Sequence, residues 1–200
     1  AEQGIDAVSL SAINRAAGQR NKSAAQYHFG SKEGLLRAIL DKHTPGIELR
    51  RHAMLDEIEA RGDADLRALV EALVLPVAGK LEDPDGGVAF VRINAQLIGN
   101  PGFPLLEAGM GRAERLMRLT ARAAPHLPEP VRVPRWRLVS GLLVHAISDY
   151  ARLADRGSPL APPRALFVSN LVDGLEAVIG APVSPATRSL VDAASSASEG

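Results

Sequence analysis

Between Gly18 and Lys32 the chain carries Arg20, Lys22 and Lys32 and no acidic residue. Ser23, Gln26, Tyr27 and His28 stand among them. Guanidinium and ammonium groups hold phosphates, hydroxyls and imidazoles add donors toward phosphate and sugar, and a primary amide can pair with an adenine edge. The chemistry open to such a stretch is recognition of duplex DNA. Gln26 is the candidate for a base edge, and Ser23, Tyr27 and His28 for phosphate or sugar. Lys32 offers its ammonium together with the positive end of a helix. On the residues alone a second reading stays open, a surface helical hairpin in which Tyr27 is half buried and His28 is a cap.

Catalytic chemistry finds less support. His145 and Asp149 lie four apart and could form an orienting pair, but Ser140, five residues before His145, points to another part of the helix surface. There is no nucleophile elbow, no phosphate-cradling glycine loop and no His-Glu-x-x-His. The histidines at 28, 43, 52, 126 and 145 lack metal-ligand spacing, and the absence of cysteine removes thiolate nucleophiles and cysteine-based metal sites. We expect no enzyme activity, no metal and no cofactor.

The elements that must position these groups can be read from caps and periodicity. Ser9 caps a short helix over 10–17, Gly18 ends it, 19–21 turn, and a second helix follows over 22–29. This is a helix-turn-helix pattern. Ala24 and Ala25 keep the second helix slim, and Phe29 is expected to anchor it to the core. Gly30 closes it, and Ser31 caps a third helix beginning Lys32-Glu33-Gly34-Leu35-Leu36. Steps of three and four recur in Leu66, Leu69, Val70, Leu73, Val74 and Val77, from Val139 to Leu153, and from Phe167 to Val178. No alternating strand pattern competes, so the fold class is all-α. Breaks are expected at Pro45-Gly46, Gly62-Asp63, 83–87, 100–104, 125–134 and 157–163. After Gly180 the chain is rich in Ala, Ser and Pro and reads as a mobile tail.

Composition is that of a globular protein of 200 residues, 46% apolar and 23% charged, with a net charge of zero. That neutrality conceals an asymmetry. Up to His52 there are eight Lys and Arg against five Asp and Glu, and the remainder has the opposite sign, so an anionic partner belongs at the amino-terminal end. No apolar run approaches the roughly 18 residues of a membrane span. We expect a cytoplasmic protein with no membrane partner.

The string Ile13-Asn14-Arg15-Ala16-Ala17-Gly18, followed by Tyr27-His28-Phe29-Gly30-Ser31-Lys32-Glu33-Gly34-Leu35-Leu36, resembles the TetR family of bacterial transcriptional regulators over roughly residues 1–40. By resemblance, Ala1-Glu2-Gln3-Gly4 look like the end of the family's first helix, most of which is missing from this chain. The stretch from Gly18 to Phe29 is one residue longer than the common spacing, which puts Arg20 in the turn. Asn14 replaces a small alanine and faces either DNA or the neighbouring helix. The expected DNA contacts are Ser9, Arg20, Asn21, Lys22, Ser23, Gln26, Tyr27, His28 and Lys32.

The resemblance also implies a helical bundle with a ligand pocket whose last two long helices pair with a second subunit. Independently, the helices at 136–156 and 164–179 combine broad apolar faces with small residues Gly141, Ala146, Ser169 and Gly174, which suits close helix packing in a homodimer. The organisation expected is an N-terminal helix-turn-helix DNA-binding domain at 1–43, a ligand-binding and dimerisation domain at 44–180, and a tail at 181–200. Pocket candidates are Phe90, Asn94, Phe103, Met110, Met117, Trp136 and His145, with Arg92 facing solvent; they suggest a small hydrophobic or amphipathic effector. The expected function is a homodimeric repressor on a pseudo-palindromic operator, nucleoid-associated when bound, and released by that effector. The alternative is a helical ligand-binding or scaffolding dimer that does not bind DNA.

Overall fold

The computed structural model describes residues 5, 8–18, 21, 24–62, 65–98 and 114–198, and every regular element among them is helical. In chain order these are α1 (Leu10–Ala16), α2 (Ala24–Phe29), α3 (Lys32–Arg61), α4 (Leu66–Ala78), a short 3-10 turn (Gly79–Glu82), α5 (Gly87–Leu97), α6 (Glu114–Ala123), α7 (Glu129–Asp155), α8 (Arg164–Gly180) and α9 (Pro185–Ser198). Hydroxyl and carboxylate caps start several of them. Ser9 accepts from the Ala12 N–H, Ser31 from the Gly34 N–H and Asp65 from the Arg67 N–H, each satisfying a donor that the first helical turn leaves open.

α4 lies at the centre. From Leu69 to Ala78 almost every side chain is buried, as expected of a helix covered on all sides, and it packs on α3 and α8 while α7 packs on α5 and α8. The core runs from Leu36 and Leu40 on α3 through Val70 and Val74 on α4 to Val139, Leu143 and Ile147 on α7 and Leu175 and Ile179 on α8. Removing these apolar surfaces from water is the main stabilising term. Salt bridges fix the periphery: Arg115 reaches Asp56 at 2.6 Å and Glu59 at 2.8 Å from α6 to α3, and Arg67 reaches Asp173 at 2.6 Å from α4 to α8. Arg135 of α7 donates to the carbonyls of Ile179 and Ala181, closing the carboxy end of α8.

Two expected breaks and the expected tail differ from the structure. The chain passes Pro45-Gly46 without a stop, since α3 is one helix from Lys32 to Arg61. Proline removes one helical hydrogen bond, but here its ring lies on the exposed side, and buried Leu36, Leu40 and His43 before it and Ile47, Leu55 and Ile58 after it hold both halves in one line. The break over 125–134 is shorter than expected, because α7 already starts at Glu129 and accommodates Pro130 in its first turn and Pro134 beyond it. Beyond Gly180 the tail is helical, with α9 capped by the Ser184 hydroxyl on the Thr187 N–H, and largely exposed. Among the described residues no single helix is long and apolar enough to cross a membrane.

Candidate nucleic-acid interface

α1 and α2 pack against each other, and a buried polar contact joins them. Asn14, only 4% exposed, accepts the Ala25 N–H on its Oδ1 at 3.1 Å, so the second helix is hung from the first at its opening turn. The alternative left open by the sequence is thereby decided: Asn14 faces the neighbouring helix. Ala25 is buried beneath it, and Gly18 turns the chain at φ 65°, a conformation that costs a side chain dearly.

The opposite side of α2 is open. Tyr27 is 85% exposed and stands edge-on to the ring of His28, at 5.4 Å between centroids. Phe29, expected to anchor the helix, is instead 39% exposed. The anchoring falls to Asn14 and Ala25, and to Gly34 of α3, whose hydrogen faces the Phe29 carbonyl so closely that a Cβ would lie 2.0 Å from its oxygen. No bulkier residue could let α2 and α3 approach in this way.

Ser9, Gln26 and Lys32 converge. With Gly30 and Ser31 they line an open concavity of about 510 Å³ between the start of α1 and the end of α2. Gln26 donates from Nε2 to the Gly30 carbonyl at 2.5 Å, so a base edge must compete with that bond for its amide. Lys32 donates to the Ile5 carbonyl at 3.0 Å, and the Ile5 N–H in turn donates to Gln96 Oε1 on α5 at 2.8 Å. Beside Lys32, the Glu33 carboxyl is held below the usual carboxylate range, chiefly by its own backbone N–H and then by the Ser31 hydroxyl. Asn21 is exposed in the turn, while Arg20, Lys22 and Ser23 lie outside the described residues.

The second group of candidates separates. Phe90 and Trp136 are 2% and 3% exposed within the core, and the Trp136 indole N–H donates to Thr120 Oγ1 at 3.0 Å. Met117 packs against the same core, and Asn94 is half buried on α5. Phe103 and Met110 lie outside the described residues. His145 does not join them: nine residues after Trp136 it stands about half a turn away around α7, exposed, and lines a groove with Arg92. Arg92 is not the solvent-facing residue expected of it, because its guanidinium reaches Asp155 at 2.5 Å and the Ala151 carbonyl at 3.2 Å on α7. Asp149 is held by Arg152 at 2.7 Å.

Sequence reading missed His43. It is 4% exposed on α3, its ring lies 4.8 Å from Phe90, and Asp83 stands 3.6 Å from Nδ1. Burial, and then Lys80, push its pKa below the ordinary histidine value. On the outer surface, Leu138 and Leu142, one turn apart on α7, and Leu166 of α8 are 55%, 43% and 59% exposed, large apolar side chains left open on two adjoining helices. Tyr150 and Phe167 stack at 4.1 Å and hold those two helices together.

Comparison with known families gives two matches. Residues 1–39 match the family model described as bacterial regulatory proteins, tetR family, and residues 71–177, more than half of the chain, match the model described as the tetracyclin repressor-like C-terminal domain. No curated protein and no solved structure matches the chain.

Proposed function

The chain belongs to the TetR family, as a transcriptional regulator with a DNA-binding helix-turn-helix, and from that premise we propose that it is a homodimeric repressor released from its operator by a small molecule. α2 is the recognition helix in this reading. Tyr27, His28, Ser9 and Lys32 contact phosphate or sugar, Gln26 turns from the Gly30 carbonyl to a base edge, and Arg20, Asn21, Lys22 and Ser23 extend the contact set. The surface carrying Leu138, Leu142 and Leu166 pairs with its copy by two-fold symmetry, which sets two recognition helices on successive major-groove faces about 34–36 Å apart. The protein acts in the cytoplasm as a binding protein rather than a catalyst.

The observation that carries the regulatory part is the run of hydrogen bonds from Lys32 through the Ile5 backbone to Gln96. It joins the first turn of α3, beside the recognition helix, directly to α5 of the bundle. A molecule that moves α5 therefore changes the footing of the DNA-binding head, which is what release by an effector requires.

The test is selection of bound sequences from random duplex DNA at two salt concentrations. We expect an enriched inverted repeat whose affinity falls steeply with salt, since phosphate contacts release counterions. Absence of any enriched motif refutes the repressor reading and favours a helical dimer that binds ligand without DNA.

A further inference from the structure

A groove of about 540 Å³ opens between α5 and α7, and Ala95 is the one buried apolar residue among those described in its lining. Its charged lining is three arginines and one carboxylate, Asp155. Arg92 is engaged by Asp155 and Arg152 by Asp149, whereas Arg156, at the end of α7, meets no carboxylate among the described residues. Ser148 also lines the groove; it is 4% exposed, and its hydroxyl finds no hydrogen-bond partner among the described residues. Its oxygen is not sealed off inside the protein, so it is open to whatever enters the groove. His145 and Gln96 complete the rim.

We propose that this groove binds a small organic polycarboxylate. Arg156 supplies the uncompensated charge, and its planar fork matches a carboxylate in two parallel hydrogen bonds. Ser148 supplies a neutral donor for a second carboxylate or a hydroxyl. Phosphate is disfavoured because every lining residue lies within α5 or α7 or caps α7, so its backbone N–H is used by the helix and no cluster of open amides faces the groove; the negative helix ends oppose any anion, and the arginines must outweigh them. A fatty ligand is disfavoured because Ala95 is the apolar contribution to the lining. Gln96 lines this groove and also accepts from Ile5, so an occupant that draws on its amide loosens the tie to Lys32. That regulatory consequence rests on the function proposed above; the binding does not.

The experiment is calorimetric titration of the full chain with citrate and with succinate, sulfate serving as the inorganic anion. The parent protein, Arg156→Gln and Ser148→Ala are compared, and operator binding is measured on the same preparations. Arg156 is exposed, so its replacement leaves the fold intact. We expect saturable citrate binding weakened at least about tenfold by Arg156→Gln, the size of one lost charge-assisted hydrogen bond, and weakened less by Ser148→Ala. Sulfate should not compete. No saturable binding of either acid, equal affinity in the parent and both variants, or competition by sulfate overturns the proposal. Operator binding without citrate binding leaves the regulator standing and removes the groove; citrate binding that depends on Arg156 without operator binding does the reverse.

Discussion

Replacing Asn14 by alanine tests how the recognition helix is held. In the parent, the Ala25 N–H sits in the first turn of α2, where no helical carbonyl can reach it, and the Asn14 Oδ1 accepts it at 3.1 Å in a buried setting. Asn14→Ala leaves that donor buried and unpaired, at about 1–3 kcal/mol. Little else in the pair can absorb the loss, since Asn14 is the buried residue of α1 and Ala25 that of α2. The opening of α2 should become easier by the same amount, so exchange of the Ala25 amide should quicken roughly 5- to 150-fold, taking about 1.4 kcal/mol per factor of ten. The core formed by α3 to α8 does not share this contact, and its cooperative unfolding should move little. Amide exchange read residue by residue is the assay, with operator affinity measured beside it. Ala25 exchange within about twofold of the parent would refute the reasoning. Lost operator affinity with unchanged exchange would assign Asn14 to the DNA instead.

Stability should fall as pH drops through the region of the ordinary histidine value, 6.5, because the unfolded chain then takes up a proton that buried His43 refuses. The slope is at most about 1.4 kcal/mol per pH unit and ends where folded His43 itself titrates, and His43→Gln should flatten this limb in denaturant titrations at a series of pH values. Gly34→Ala places a Cβ 2.0 Å from the Phe29 carbonyl oxygen and must push α2 from α3. It should abolish operator binding while circular dichroism of the bundle is unchanged; full operator affinity in this variant would show that the close approach is dispensable. Leu138→Asp with Leu142→Asp should convert a dimer to a folded monomer in sedimentation, and a dimer unaffected by both charges would move the interface off this surface.

Much of this was legible in the sequence. Steps of three and four marked α4, α7 and α8 because each has to face the same core, and Ser9 and Ser31 announced helix starts because their hydroxyls meet local donors. What escaped was set by distant partners. Pro45 carries a strong local signal for a break, yet burial of leucines and isoleucines on both sides of it prevails in α3. His43 meets Phe90 across 47 residues of chain, and Lys32 meets Gln96 through Ile5, contacts that no local pattern encodes. The misplacement of His145 has a different origin. A spacing of nine residues from Trp136 is two and a half turns, and helix geometry alone sets the two on opposite faces.

The unbroken course of α3 bears on how heads and bodies of such proteins could be exchanged. At 30 residues it is about 45 Å long, and it serves at once as the floor of the recognition helix and as a wall of the bundle. A graft between two relatives therefore has no linker in which to be spliced, and its seam must fall inside a helix. Each residue gained or lost at that seam turns one part against the other by about 100° and shifts it by about 1.5 Å. Only junctions that keep the count, or change it by close to whole turns, leave a transplanted reading surface aimed in its original direction.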